Sequence, residues 1–220
     1  MKKFVYSIIM LMMMVLVPAE VKADYPTSLV EKHDVAILVI DMQNDFVKPG
    51  AVLCVDGALK TIPDINKLIE YGRSKNWKVI WIMRAHDPSG LNVDAPRIPL
   101  FVNGKPGYCV PGTEGYQLAD GLKPEKEDFI VQKYRNSAFF GTQLDMILRR
   151  MGVKTVVLCG TQYPNCVRGT ANDAMSYDYE TIVDTDASSA KTPEVAKNNI
   201  FDMRNMGIKC LTLDEIKKIK

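Results

Sequence analysis

Three side chains of reactive type stand where apolar runs of this 220-residue sequence end. Asp41 follows VAILVI (35–40), Lys133 closes DFIVQK (128–133), and Cys166 lies just beyond KTVVLCG (154–160). A cysteine attacks as its thiolate, a carboxylate can accept the thiol proton, and an ammonium group stabilises the negative charge that develops. If Cys166 opens a helix, the positive end of the helix dipole acidifies it further. The trio thus has the makings of a covalent nucleophile, its base and an electrostatic support. Each member also has a plainer reading: Asp41 as a turn cap, Lys133 as a solvated strand end, Cys166 as a small packed apolar residue.

The remaining reactive residues narrow the rival devices. There are two histidines, His33 and His86, and His33 lies near the start of the folded region, so a cysteine–histidine pair would have to use His86. The five cysteines, at 54, 109, 159, 166 and 210, are an odd number. Cys54 and Cys109 fall in loops on the expected active-site side, which leaves a pairing between them open, whereas Cys159 and Cys210 fall inside apolar strands and read as inert packing.

The elements that must position the trio follow from periodicity. Apolar β-type runs at 35–40, 77–83, 128–133, 154–160, 180–186 and 208–213 alternate with helical patterns, notably ALKTIPDINKLIEYGRSK, TQLDMILRRMG, CVRGTANDAMSYD and TPEVAKNNIFDMRNMG. Continuous apolar strands between helices are buried on both faces, which predicts an α/β, doubly wound, Rossmann-like three-layer sandwich around a six-stranded parallel sheet. In such a sheet ligands sit beyond the carboxyl ends of the strands, where all three residues fall. Residues 84–126 break the rhythm, are rich in Pro and Gly, and read as a covering element over the site.

The N-terminus reads differently. Lys2 and Lys3 precede the 14-residue apolar run FVYSIIMLMMMVLV, which is shorter than the about 20 residues a spanning helix needs, and small residues follow at Ala23. This predicts a signal peptide over residues 1–23, an exported (periplasmic or secreted) domain over residues 24–220, and no stable membrane association after cleavage; an uncleaved anchor is the alternative. Residues 1–23 hold Lys2, Lys3, Lys22 and Glu20, so 28 − 3 = 25 basic residues remain against 26 − 1 = 25 acidic ones. A neutral domain without a basic run lacks the footprint of a nucleic-acid binder, and a small molecule is the expected partner.

Three blocks carry a resemblance: VIDMQNDFVKPG (39–50), QKYRNSAFFGTQLDMILRRMG (132–152) and LCGTQYPNCVRGTANDA (158–174). Together they resemble the isochorismatase-like cysteine hydrolases, which include nicotinamidases, carbamoylsarcosine amidases and ureidoacrylate-type amidohydrolases, over roughly residues 35–213. The resemblance implies hydrolysis of a carbon–nitrogen bond of amide or ureide type, with Cys166 as nucleophile, Asp41 as its base and Lys133 supporting the pair. It also implies a cis peptide between Thr161 and Gln162 and an oxyanion hole made by the backbone amides of Gln162 and Cys166. Many relatives have Thr-Asn where this chain has Tyr163-Pro164, so the pocket wall differs there.

Nicotinamidases of that family carry an Asp-x-His pair and a further His; this chain reads Arg84-Ala85-His86, so neither a metal nor another cofactor is expected. Arg84 and His86, with Phe46, Tyr134 and Tyr163, are the expected substrate-binding residues. Phe139 is a further aromatic flank, and Arg97 in the covering segment suits a carboxylate or carbonyl-rich substrate. The family is commonly oligomeric, which implies a homo-oligomer. Two rivals remain on the sequence: an isochorismatase-type or His86-dependent hydrolase, and a non-catalytic periplasmic binding protein on the same scaffold.

Overall fold

Six strands, β1 (Val35–Ile40), β2 (Lys78–Arg84), β3 (Phe129–Lys133), β4 (Thr155–Thr161), β5 (Glu180–Ser189) and β6 (Lys209–Leu211), form one all-parallel sheet in the order β3-β2-β1-β4-β5-β6. The computed structural model describes residues 30–219, so the leader-like segment 1–23 lies outside the described residues. Among the described residues no helix is long and apolar enough to cross a membrane.

The continuous apolar runs are explained by burial on both faces. Along β1, Ile37 and Val39 join one core while Ala36, Leu38 and Ile40 join the other. The first core is closed by α2 (Ile62–Ser74), whose Ile62, Ile65, Leu68 and Ile69 form a helical stripe, and by α6 (Leu213–Ile216). The second is closed by α3 (Leu144–Met151), α4 (Arg168–Ser176) and α5 (Pro193–Asn205). A one-turn helix, α1 (Asn44–Val47), follows β1. Pro63 sits in the first turn of α2, where its missing N–H is harmless, and Gly152 ends α3 in the left-handed conformation.

Several boundaries differ from the sequence reading, β5 running on to Ser189 rather than ending at residue 186. The run 208–213 is cut to a three-residue strand because Thr212 and Glu215 form a reciprocal capping box that starts α6. Cys166 does not open a regular helix: residues Tyr163–Val167 form a π-helical turn, and α4 begins at Arg168. Pro164 supplies no backbone donor there, and the wider turn sets Cys166 ahead of the regular helix rather than on it.

Candidate active site

The winding of the sheet reverses between β1 and β4, and the crevice at their carboxyl ends collects side chains from four strands. The chain leaves β1 through Asp41, whose φ of +51° is left-handed and whose amide donates to the Ile82 carbonyl at 2.9 Å. Few side chains adopt that conformation, and aspartate is among those that tolerate it. Across the crevice, Gly160 of β4 pairs with Ile40 of β1. A Cβ on Gly160 would fall 2.2 Å from the Ile40 carbonyl oxygen, so only glycine lets the two strand ends approach. The next peptide, Thr161–Gln162, is cis, and Cys166 follows in the π turn.

Lys133, at the end of edge strand β3, reaches across β2 to Asp41. Its Nζ donates to Asp41 Oδ2 at 2.7 Å and to the Arg135 carbonyl at 3.0 Å, with both side chains of the pair buried. Asp41 Oδ1 is buried and has no hydrogen-bond partner, so this oxygen is available to take a proton. Cys166 is buried too, with Sγ 3.3 Å from Arg84 Nη2 and 4.0 Å from Asn136 Oδ1. Burial pushes the Cys166 thiol up from its ordinary range and the Asp41 charge pushes it further; Lys133 and Arg84 pull the other way without cancelling the rise. At rest, therefore, the sulfur holds its proton beside a carboxylate. Transfer to Asp41 leaves a thiolate facing two fixed cations.

The expected substrate-binding residues separate into two groups. Phe46, Arg84 and Arg97 line a cavity of about 60 Å³ together with Asp41, Gln162 and Cys166. His86, Tyr134 and Tyr163 do not line it. Tyr163 is buried in the second core, its hydroxyl 3.4 Å from the Thr185 carbonyl. Tyr134 points along the exposed edge of β3, beside Ile130 and Gln132. His86 lies behind the cavity wall, its ring edge-on to Tyr108 and Phe101 and its Nδ1 3.3 Å from Asn92 Oδ1. Burial and the Arg84 charge lower His86 to about 4, so it is neutral at pH 7; the hydrogen-bond partners found for Cys166 Sγ are Arg84 and Asn136. Phe139 packs in the second core against Tyr177 and Tyr179. Cys54 and Cys109 are free thiols, and Cys109 is buried in the first core, where desolvation holds its thiol protonated.

Arg84 is turned to Cys166 more than to the cavity. Its Nη1 donates to the Tyr134 carbonyl at 3.1 Å, and its Nη2 is shared by Asn136 Oδ1 at 3.1 Å and Cys166 Sγ. Burial works against its charge, but the Cys166 sulfur, when ionised, and the Asp41 charge outweigh that and favour the cation. Gln43 clamps its backbone: Oε1 accepts from the Arg84 amide at 2.7 Å, and Nε2 donates to the Arg84 carbonyl at 2.9 Å. Sequence reasoning passed over Gln43, Asn136 and Tyr108. The first two lay in the motif blocks among other polar residues, Gln43 buried and Asn136 exposed; Tyr108 came from the irregular segment and carried no local signal. Replacing Arg84 by Gln removes a cation 3.3 Å from the sulfur. The pH midpoint of Cys166 alkylation by iodoacetamide is expected to move upward by about 1 unit. A midpoint that stays in place or moves down would show that Arg84 does not act on the thiolate.

The isochorismatase domain family model matches residues 35–215. This chain belongs to the isochorismatase family. It is 43% identical over 185 residues to a probable inactive nicotinamidase of Arabidopsis thaliana, covering 83% of this chain and 94% of that protein. It is 31% identical over 194 residues to a ureidoacrylate amidohydrolase of Caulobacter segnis, covering 80% and 81%. Among solved structures it is similar to an isochorismatase family protein of Desulfovibrio vulgaris, with a TM-score of 0.82 at 48% identity, covering 84% of this chain and 97% of that one. A pyrazinamidase of Pyrococcus horikoshii solved in complex with zinc shares the fold with a TM-score of 0.72 at 30% identity, covering 82% and 99%.

The residues here do not fit a zinc site of that kind. Among the described residues no three His, Cys, Asp or Glu side chains gather to hold a metal. Arg84 brings a positive charge to this wall of the cavity, and His86 Nε2 is enclosed without a polar partner.

Proposed function

We propose that this isochorismatase-family chain is a cysteine hydrolase that cleaves the carbon–nitrogen bond of a small amide or ureide. The observation that carries the reading is the arrangement of Asp41: one carboxylate oxygen is held by Lys133 at 2.7 Å while the other, unpartnered, shares a cavity with the Cys166 thiol. In the proposed cycle Asp41 takes the thiol proton as sulfur adds to the carbonyl carbon. The oxyanion meets the backbone amides of Gln162 and Cys166. The protonated carboxyl then gives its proton to the departing nitrogen, the C–N bond breaks, and a thioester remains. Water, losing its proton to Asp41, adds to the thioester; the C–S bond breaks and the thiol is regenerated. Lys133 and Arg84 keep this sequence of charges neutralised in a buried site.

The amidohydrolase names of several relatives support the same reaction class, while the Arabidopsis relative is named as probably inactive, so the chemistry of this chain needs its own test. Ammonia release from a panel of nicotinamide, ureides, biuret and N-carbamoyl amino acids is expected to show turnover of at least one member, together with stoichiometric alkylation of Cys166 by iodoacetamide at neutral pH. No turnover and an unreactive Cys166 would return the protein to the binding-scaffold alternative.

A further inference from the structure

The cavity that contains Cys166 is small, about 60 Å³, enough for a carbonyl group and its immediate substituents. Sites that enclose a whole small molecule are usually several hundred cubic ångströms. Leu53 and Gln162 line this cavity and also line a groove of about 760 Å³ beside it, so the two share a wall at the residue assigned to the oxyanion hole. The groove presents Val52 and Leu59 as its exposed apolar surface, 49% and 47% exposed, over the buried Val47. Two exposed ammonium groups, Lys60 and Lys191, border it against one carboxylate, Asp56. Among the described residues neither lysine is in an ion pair.

We propose that the groove holds the tail of the substrate, an apolar chain ending in a carboxylate, while the carbonyl enters the cavity at Cys166. The inference rests on the reading of Cys166 as the nucleophile and adds the substrate class. The groove adjoins the reacting centre at Leu53 and Gln162 rather than lying on a remote face, its Val52 and Leu59 side chains are exposed, and its excess charge is positive. An apolar tail covers Val52 and Leu59, and its terminal anion meets Lys60 and Lys191. The two terminal nitrogens of Arg84 are turned to Tyr134, Asn136, Cys166 and Asp94, which leaves the groove's lysines as the cations that face the tail.

Two chloroacetamide probes of equal length test this: N-chloroacetyl-6-aminohexanoate, which ends in a carboxylate, and N-chloroacetylhexylamine, which ends in a methyl group. Each alkylates Cys166 by forming a C–S bond as the C–Cl bond breaks and chloride leaves, with the thiol proton passing to Asp41. The readout is the ratio of the two second-order rates within each protein, followed by mass spectrometry of the Cys166 peptide. In the unaltered protein the carboxylate probe is expected to react about tenfold faster, a ratio that shrinks as salt is raised. In Lys60→Glu/Lys191→Glu the ratio is expected to fall to about one or below. Equal rates in the unaltered protein, or an undiminished ratio in the double variant, overturn the proposal and leave the hydrolase reading standing. A change of oligomeric state in the double variant, by light scattering, overturns it as well by assigning the lysines to an interface. Failure of iodoacetamide itself to label Cys166 is a separate result, and it removes the nucleophile on which both readings depend.

Discussion

Cys166→Ala is expected to lower kcat/KM for any amide or ureide the protein turns over by at least about 10³-fold, and Asp41→Asn by about 10²- to 10⁴-fold. Alanine has no electron pair to form the thioester, so only the oxyanion donors and binding remain. Asparagine keeps the shape of Asp41 but cannot accept the thiol proton, and the thiol is already held above its ordinary range by burial. Because sulfur and carboxylate act in one step, the double variant is expected to be scarcely worse than Cys166→Ala alone. Cys166 sits at 6% exposure in a packed turn, and losing one sulfur atom leaves the chain folded. Measured by ammonia release, with a melting curve for each variant, multiplicative losses in the double variant would mean that the two residues do not act as a unit. A His86-dependent device predicts the opposite ranking, with Asp41→Asn tolerated.

Lys133→Met is expected to destabilise the fold by about 3–5 kcal/mol, because it leaves the Asp41 carboxylate buried without its counter-charge. Lys133 and Asp41 are 0% and 1% exposed as side chains, so bulk water screens the orphaned charge poorly. The Lys133→Met/Asp41→Asn pair removes both charges at nearly constant volume and is expected to recover most of that loss while staying catalytically dead. Urea denaturation of the four proteins gives the comparison. A single variant within about 1 kcal/mol of the parent, or a double variant no more stable than the single, would show that water or Arg84 compensates the carboxylate.

The result also separates two roles that the candidate site combines. The ion pair is costly to bury, and a stable sheet does not require it. Its position at the switch between β1 and β4, where a left-handed Asp41 and a close-packed Gly160 meet, is where a ligand can reach it. The same placement accounts for Gln43, whose side chain ties Arg84 to the turn after β1 rather than to substrate.

The sequence by itself determined the six-stranded parallel architecture, since residues buried on both faces must be apolar without interruption and the intervening helices carry their own period, stripes and ends. It also singled out Asp41, Lys133 and Cys166, because strand exits in such a sheet converge and the three motif blocks keep reactive types there. Only the tertiary structure decided which neighbours share their space. Tyr163 and Phe139 lie next to motif residues in the chain yet pack in the core, and His86, two residues beyond Arg84, faces Tyr108 and Phe101 behind the cavity wall. Conversely Arg84 meets Cys166 across 82 positions, and Tyr108 enters the wall from a segment without periodicity. The physical reason is that strand and helix periods report which face of an element is buried, whereas the direction in which a loop side chain points depends on contacts between segments far apart in the chain.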